Sequence, residues 1–307
     1  MEKQYYSPKA QKWIDEHRSE LTIDPDIEFT CQNFVFISLS GTENFEQDPI
    51  VQAVDKAGGW CDDGVYNDES ILVVDPEAEN TEYDFCLRYD RERIDKIILL
   101  ADLKNALIFA GYYDPDVVLF PGITKIKESA FSWKDDITSI VIPEGVTSIE
   151  EGAFTNCVNL KEVKFPHTLQ TIGKSAFYGC NSLTSIVIPE GVTSIEEDAF
   201  YCCRNLKDVK LPCSLRTIGE KAFSSTALTS IVIPDGCSKI GADCFYNHSM
   251  CDAYIPDSVM EIGSDAFDYY NDDLMIHIVR GSYAEEHLGD TSFDYRHIKY
   301  DYVKKRR

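Results

Sequence analysis

The sequence predicts a small α/β domain followed by a parallel β-solenoid, and two ladders of residues in its second half are the main evidence. Both ladders repeat every 22 or 23 residues, one built from prolines and the other from phenylalanines. A repeat of this length is typical of coils that stack in series, because one coil cannot bury its apolar face alone. The ladders consist of Pro121, Pro143, Pro166, Pro189, Pro212, Pro234 and Pro256, and of Phe131, Phe154, Phe177, Phe200, Phe223, Phe245 and Phe267.

Strand and helix patterns alternate in the first 114 residues, which predicts a small parallel sheet. Helices are expected at 8–21, 50–57, 81–93 and 103–109, and strands at 29–39, 71–74 and 94–100. The helix at 50–57 ends at Gly58 and Gly59, which break the helical pattern.

Residues 27–110 resemble a BRCT-type domain. The resemblance depends on the order of the elements and on five short segments, which are Phe34–Ile37, Ser40–Gly41, Gly58–Trp60, Ser70–Val74 and Lys96–Ile98. It implies binding of partner proteins or DNA ends, in some members through a phosphate held by a Ser or Thr and a Lys. Ser40 fits the first role, but Glu82, Tyr83 and Asp84 stand where the lysine is expected, which argues against phosphate binding.

The repeating unit is best formed at residues 183–203. Ile186 and Ile188 alternate with Ser185 and Val187, a period of two that predicts a short strand. Pro189 ends this strand because proline has no N–H to donate to a sheet. The rest of the coil is expected to return by an irregular or single-turn helical path with its apolar residues facing inward.

Residues 116–290 resemble the BspA-like (Treponema pallidum-type) leucine-rich-repeat family, whose consensus is Leu-x-x-Ile-x-Ile-Pro-x-x-Val-x-x-Ile-Gly-x-x-Ala-Phe-x-x-Cys. The resemblance implies a solenoid of about seven to eight coils with one parallel β-sheet face. Cys157, Cys180 and Cys203 match the cysteine position of the consensus, and other coils depart from it there.

Two kinds of coil alternate, which indicates that a two-coil unit was duplicated. Coils with Ser-Ile-Val-Ile-Pro alternate with coils that read Glu-Val-Lys-Phe-Pro or Asp-Val-Lys-Leu-Pro.

Stacking should align the outward strand positions into one exposed row, with like charges roughly 10 Å apart in alternate coils. We predict that this row binds a partner, because it carries apolar and aromatic residues among lysines. It consists of Lys164, Val187, Lys210, Val232 and Tyr254. The alternative is that valine is present for strand propensity and lysine for solubility.

The expected domain organisation has four parts. Residues 1–26 form a helical extension, 27–114 the BRCT-like domain, 115–280 the repeat solenoid and 281–307 a C-terminal cap. Ser282 is the expected N-cap of a helix in the cap, with Glu285 as its capping-box partner. The residues that follow are expected to cover an exposed sheet edge.

Composition narrows the range of partners. The formal net charge of −24 makes nucleic acid and anionic lipid surfaces unfavourable partners. No stretch approaches the roughly 20 apolar residues of a membrane span, and no secretory signal is visible. The expected location is therefore cytoplasmic, or the cell surface if a signal peptide was removed.

Signals of catalysis and of bound cofactors are weak. The 11 cysteines form no Cys-x-x-Cys pair, and the acids near Asp62 and Glu69 lack EF-hand spacing, so neither a metal nor a cofactor is expected. The column of Cys157, Cys180 and Cys203 is interpreted as buried thiols, with disulfides or a metal site as alternatives.

Three functions compete. The prediction is a non-enzymatic protein-interaction scaffold that binds through the exposed strand face, and in addition through the BRCT-like domain. The second is a cell-surface adhesion or host-interaction protein of the BspA-like type. The third, an enzyme housed in residues 1–114, is disfavoured.

Overall fold

The computed structural model describes residues 8–19, 21, 33–37, 54, 60–62, 70–74, 94–109, 116–119, 123–267, 272–288 and 298–300. The chain divides into two compact units. The first contains Met1–Tyr113 and Leu119–Ile123, and the second contains Asp114–Val118 and Thr124–Arg307. The four-part organisation expected from the sequence stays a prediction.

The first unit contains a four-stranded parallel sheet, as the alternation of elements predicts. Its strands pair in the order β2-β1-β3-β4. Residues Ile71, Val73 and Val74 of the third strand are buried. The strands are β1 (Asn33–Ile37), β2 (Trp60–Asp62), β3 (Ser70–Val74) and β4 (Ile94–Leu99), and the helices are α1 (Pro8–His17) and α2 (Leu100–Phe109).

Strand β2, which is three residues long and follows Gly58 and Gly59, was not expected from the sequence. The helices expected at 50–57 and 81–93 lie outside the described residues, apart from Val54, which is helical and buried. The resemblance to a BRCT-type domain stays a prediction.

The coils of the second unit contribute eight longer strands and seven shorter strands among the described residues. The longer strands are β5 (Asp116–Val118), β7 (Ser139–Val141), β9 (Glu162–Lys164), β11 (Ser185–Val187), β13 (Asp208–Lys210), β15 (Ser230–Val232), β17 (Asp252–Ile255) and β19 (Met275–Ile278). The shorter strands are β6 (Lys125–Ile126), β8 (Ser148–Ile149), β10 (Thr171–Ile172), β12 (Ser194–Ile195), β14 (Thr217–Ile218), β16 (Lys239–Ile240) and β18 (Glu261–Ile262). The last elements among the described residues are helix α3 (Tyr283–His287) and strand β20 (Ile298–Lys299), which pairs with β19.

The shorter strands form a second parallel sheet, in the part of the coil for which the sequence predicts an irregular or single-turn helical return. All seven pair in one uninterrupted series from β6 to β18. Each strand has two residues, too few for a period of two to be recognised in the sequence. Gly173 N–H donates to Ile149 O over 2.8 Å, and Gly219 N–H donates to Ile195 O over the same distance, so the sheet links coil to coil through the main chain.

The longer strands pair in three separate groups that follow the two-coil duplication. Among the described residues the groups are β5-β7-β9, β11-β13 and β15-β17-β19-β20. A Ser-Ile-Val strand therefore pairs with the charged strand that follows it, as Ser185 does with Asp208 and Val187 with Lys210. The pairing is interrupted after each charged strand, after β9 and again after β13.

The phenylalanine ladder forms the centre of the solenoid core. All seven rings are buried and stack on one another in nearly parallel planes, with centroids of successive rings 5.0 to 5.7 Å apart. The predicted core column is confirmed. The spacing of the rings also measures the rise from one coil to the next.

A left-handed residue stands two positions before each phenylalanine. At this position the N–H groups point towards the next coil, as Ser129 N–H donates to Glu151 O over 3.0 Å and Ser175 N–H to Glu197 O over 2.9 Å. The main chain therefore connects the coils along this side as well. The left-handed residues are Ser129, Gly152, Ser175, Asp198, Lys221, Asp243 and Asp265.

Candidate partner-binding face

The outward residues of the longer strands form the candidate site, which we call the front face. Strand alternation places Ile140, Ile186 and Ile231 in the core, so that the residues on either side of each isoleucine point outward. In the strands Ser185–Val187 and Ser230–Val232 the outer two residues are exposed and the central one is buried. The local sequence therefore specifies which side chains reach the face.

Strand register decides which of the five predicted residues are neighbours. Lys164 lies opposite Val141, Val187 opposite Lys210, and Val232 opposite Tyr254. The predicted row is therefore three registered pairs. Between Lys164 and Val187, and again between Lys210 and Val232, the strands are not paired among the described residues.

Exposure differs along the row. The residues Val187 and Val232 are 62% and 58% exposed, large values for apolar side chains that the core does not need. Lys164 and Lys210 are also exposed. Tyr254 is half-buried, so the aromatic member of the row offers less surface than the valines.

Two contacts reduce the freedom of charged groups on the face. Lys164 Nζ lies 3.5 Å from Glu162 Oε1 within the same strand, and both side chains are more than half exposed. His277 Nε2 lies 2.9 Å from Asp252 Oδ1, and the imidazole is buried. An ion pair exposed to this degree contributes about 0–1 kcal/mol, so Lys164 can exchange Glu162 for a partner's carboxylate at little cost.

His277 continues the register of the row, although it was not predicted from the sequence. It pairs with Tyr254, but its side chain is buried, and so are Ile276 and Ile278, so the strand does not show the alternation of exposed and buried residues. The repeat length indicates this position, because His277 stands 23 residues after Tyr254. No proline follows the strand to mark it as part of the repeat.

The cysteine column packs inside the core as buried side chains. The thiols of Cys157, Cys180 and Cys203 donate to the carbonyls of Phe131, Phe154 and Phe177 over 3.0 to 3.1 Å. Burial raises the pKa of Cys157 and of Cys203 to about 12, and burial and the two neighbouring thiols raise the pKa of Cys180. Such thiols are poor nucleophiles and poor metal ligands at neutral pH, because the reactive form is the thiolate.

Within the described residues, no group of three or more His, Cys, Asp or Glu side chains is arranged to hold a metal ion. No helix among those residues is both long and apolar enough to span a membrane.

Comparison with protein families gives one match. A family model described as BspA type Leucine rich repeat region matches the chain in six copies, over residues 124–252 and 238–299. Together the two ranges cover more than half of the 307 residues. A search of curated proteins finds no significant match.

Three solved structures are similar to the chain. A leucine-rich-repeat protein of Treponema pallidum is 21% identical, with 62% of this chain and 88% of that chain covered and a TM-score of 0.48. A leucine rich cell surface protein of Faecalibacterium prausnitzii is 27% identical, with 51% and 64% covered and a TM-score of 0.34. The pneumococcal vaccine antigen PcpA is 15% identical, with 62% and 42% covered and a TM-score of 0.38.

Proposed function

The chain belongs to the BspA-type leucine-rich-repeat family, and from this premise we propose that it is a non-enzymatic scaffold that binds a protein partner through the front face. The exposure of Val187 and Val232 is the observation that carries the proposal. Val187 lies opposite the exposed Lys210 and Val232 lies opposite the half-buried Tyr254, on a surface that repeats from coil to coil. Protein interfaces combine apolar contacts with a polar rim in this way.

The charge of the protein supports a protein partner over a nucleic acid. The chain carries a net charge of −24, and a field of that sign repels phosphate backbones. The lysines of the front face are too few to reverse this field over the length that a duplex would contact.

Location is part of the proposal. The eight cysteines whose side chains the structure describes are free, which supports a reducing compartment such as the cytoplasm. A cell-surface protein is the second candidate, favoured by the description of the Faecalibacterium prausnitzii structure as a cell surface protein. Labelling intact cells with a membrane-impermeant amine reagent separates the two, since only a surface protein is modified.

A capture experiment tests the front face. The face variant carries Lys164→Ser, Val187→Ser and Lys210→Ser in the full chain. The control variant carries Lys12→Ser, Lys239→Ser and Met260→Ser, which likewise remove two lysines and one apolar side chain from exposed positions outside the face. We expect the face variant to fold and to lose the proteins that the wild type and the control variant capture. If the folded face variant captures them unchanged, the binding site lies elsewhere, and residues 27–110 become the next region to test.

A further inference from the structure

The front face alternates in chemistry from coil to coil. The coil that contains Lys164 presents Lys161, Glu162 and Lys164, and two coils later Lys207, Asp208 and Lys210 occupy the same positions. All six of these side chains are exposed. At the same positions the coils before, between and after them are uncharged and read Thr-Ser-x-Val, as in Thr184, Ser185 and Val187.

This alternation has a measurable period. The stacked rings from Phe131 to Phe223 lie 5.0 to 5.2 Å apart, so the charged coils are separated by about 10 Å along the stacking direction, about twice the spacing of adjacent strands. An exposed valine lies about halfway between them. A partner that uses the whole face therefore needs a complementary charge about every 10 Å and an apolar group midway.

An α-helix meets both requirements. Its rise of about 1.5 Å per residue places residues seven apart about 10.5 Å from each other on the same side. Residues three or four positions on lie about 5 Å along, on the same stripe. One helix residue can thus face each coil.

The repeat distances of other extended ligands do not match the spacing of the coils. Side chains on one side of a β-strand lie about 6.6 Å apart, so a strand that places one side chain at the first charged coil places none at the second. A polyproline II helix turns about every 9.3 Å, which suits the charged coils, but its intermediate residues point away from the uncharged coils.

The charge of these coils determines which charge the partner's side chains should carry. At the three positions named above, each charged coil carries two lysines and one acid, so these positions are locally positive on a chain of net charge −24. Acidic side chains on the partner would therefore be attracted to these coils and repelled by most of the remaining surface.

We propose that the front face binds an amphipathic α-helix of a partner protein, laid along the stacking direction. The helix carries acidic residues seven positions apart and apolar residues three or four positions after each of them. The acids face the coils of Lys164 and Lys210, and the apolar residues contact Val187 and Val232. This inference rests on the proposed function and names the class of its partner.

Synthetic peptides of 21 residues, of roughly six helical turns, test the inference on the full-length protein by fluorescence anisotropy. The first peptide has Glu at the first position and Leu at the fourth position of three heptads. The second has the same composition, with the glutamates moved to the opposite side of the helix. The third is proline-rich, with Glu at every third position. We expect the first peptide to bind at least tenfold more tightly than the other two, and its affinity to fall as salt is raised.

A charge-reversed pair of variants locates the contact. Lys164→Glu with Lys210→Glu should weaken binding of the first peptide at least tenfold. Lys12→Glu with Lys239→Glu changes the net charge equally, on helix α1 and on the short-strand sheet, and should change the affinity less than twofold. Circular dichroism and thermal unfolding confirm that both double variants are folded.

The outcomes separate this inference from the proposed function. Equal binding of the three peptides, binding of none, or an equal effect of the two double variants overturns the helical partner. If the face variant nevertheless loses the captured proteins, the scaffold function stands without a helical ligand. If capture is also unchanged, both proposals fail.

Discussion

The ring of Tyr254 stacks on the imidazole of His277, with centroids 4.2 Å apart and planes inclined by 13°. The two residues lie opposite each other in adjacent parallel strands, and His277 in turn contacts Asp252. Tyr254 therefore helps to hold the last coils together, in addition to its place on the front face.

The stack predicts an unequal cost of two substitutions in one strand pair. Tyr254→Ser should lower the free energy of unfolding by about 1–2 kcal/mol, because it removes the ring contact and uncovers His277. Val232→Ser, in the position opposite, should cost about 0.5 kcal/mol or less, because that side chain is mostly exposed. Urea unfolding of both variants measures the difference, and equal costs would show that the stack contributes nothing.

The core column predicts a larger effect at Phe200. Phe200→Ala should cost about 3–5 kcal/mol, because it leaves a cavity between Phe177 and Phe223 in the continuous stack. Phe165→Ala is the matched control, since Phe165 is only half-buried and meets Phe177 edge-on. It should cost markedly less. A loss below about 1 kcal/mol at Phe200 would contradict a packed phenylalanine core.

The buried thiols predict a pattern of chemical reactivity. Cys213 and Cys251 are exposed and should react with iodoacetamide in the native protein, whereas Cys157, Cys180 and Cys203 should react only after unfolding. Mass spectrometry of digests after timed labelling identifies the modified residues. Native labelling of Cys180, or a disulfide between Cys157 and Cys180 in protein kept reduced, would be incompatible with a packed column.

The same column predicts how stability changes at alkaline pH. Folding raises the pKa of Cys157 and Cys203 from 9.0 to about 12, so the unfolded chain loses these protons first. Their contribution to stability is complete below pH 9 and decreases as the pH rises from 9 towards 12. Replacing both cysteines by alanine should make stability fall less steeply over this range. An unchanged slope would show that the thiols ionise equally in both states.

Asp198 is predicted to destabilise the native fold. It occupies the left-handed column with φ +55°, one of its carboxylate oxygens is buried without a hydrogen-bond partner, and burial and Glu197 raise its pKa. Asp198→Gly should raise the free energy of unfolding by about 1 kcal/mol, because Gly152 shows that glycine suits this column. Thermal or urea unfolding at pH 7 measures the gain.

The pH dependence and a matched variant check the cause. Because the folded pKa of Asp198 lies above 3.8, the wild type loses stability as the pH rises through and above that value. The gain from Asp198→Gly should therefore be larger at pH 7 than at pH 3.8. Asp243 stands in the same column with φ +51° but lies 3.8 Å from Lys221, so Asp243→Gly should gain less. A larger gain at Asp243 would contradict the role given to the unpaired carboxylate.

The candidate site was predictable in part from the sequence. The exposed positions of Val187 and Val232 follow from alternation around a buried isoleucine, and those of Lys164 and Lys210 from alternation around a half-buried valine, which a window of three residues reveals. The contact of Tyr254 with His277 was not predicted, because it depends on how a strand without a following proline docks on its neighbour. Binding by the row stays a prediction.

The sequence by itself determined the repeat, its length of 22 or 23 residues, and the identity of the phenylalanine core, because each coil repeats the same inward positions. Only the tertiary structure decided that the two-residue strands form a continuous sheet while the longer strands pair in groups. It also decided that Tyr254 rests on His277. The physical reason is that hydrogen bonds and ring contacts between coils join residues about 23 positions apart. Their geometry depends on how whole coils stack, which no local pattern of residues records.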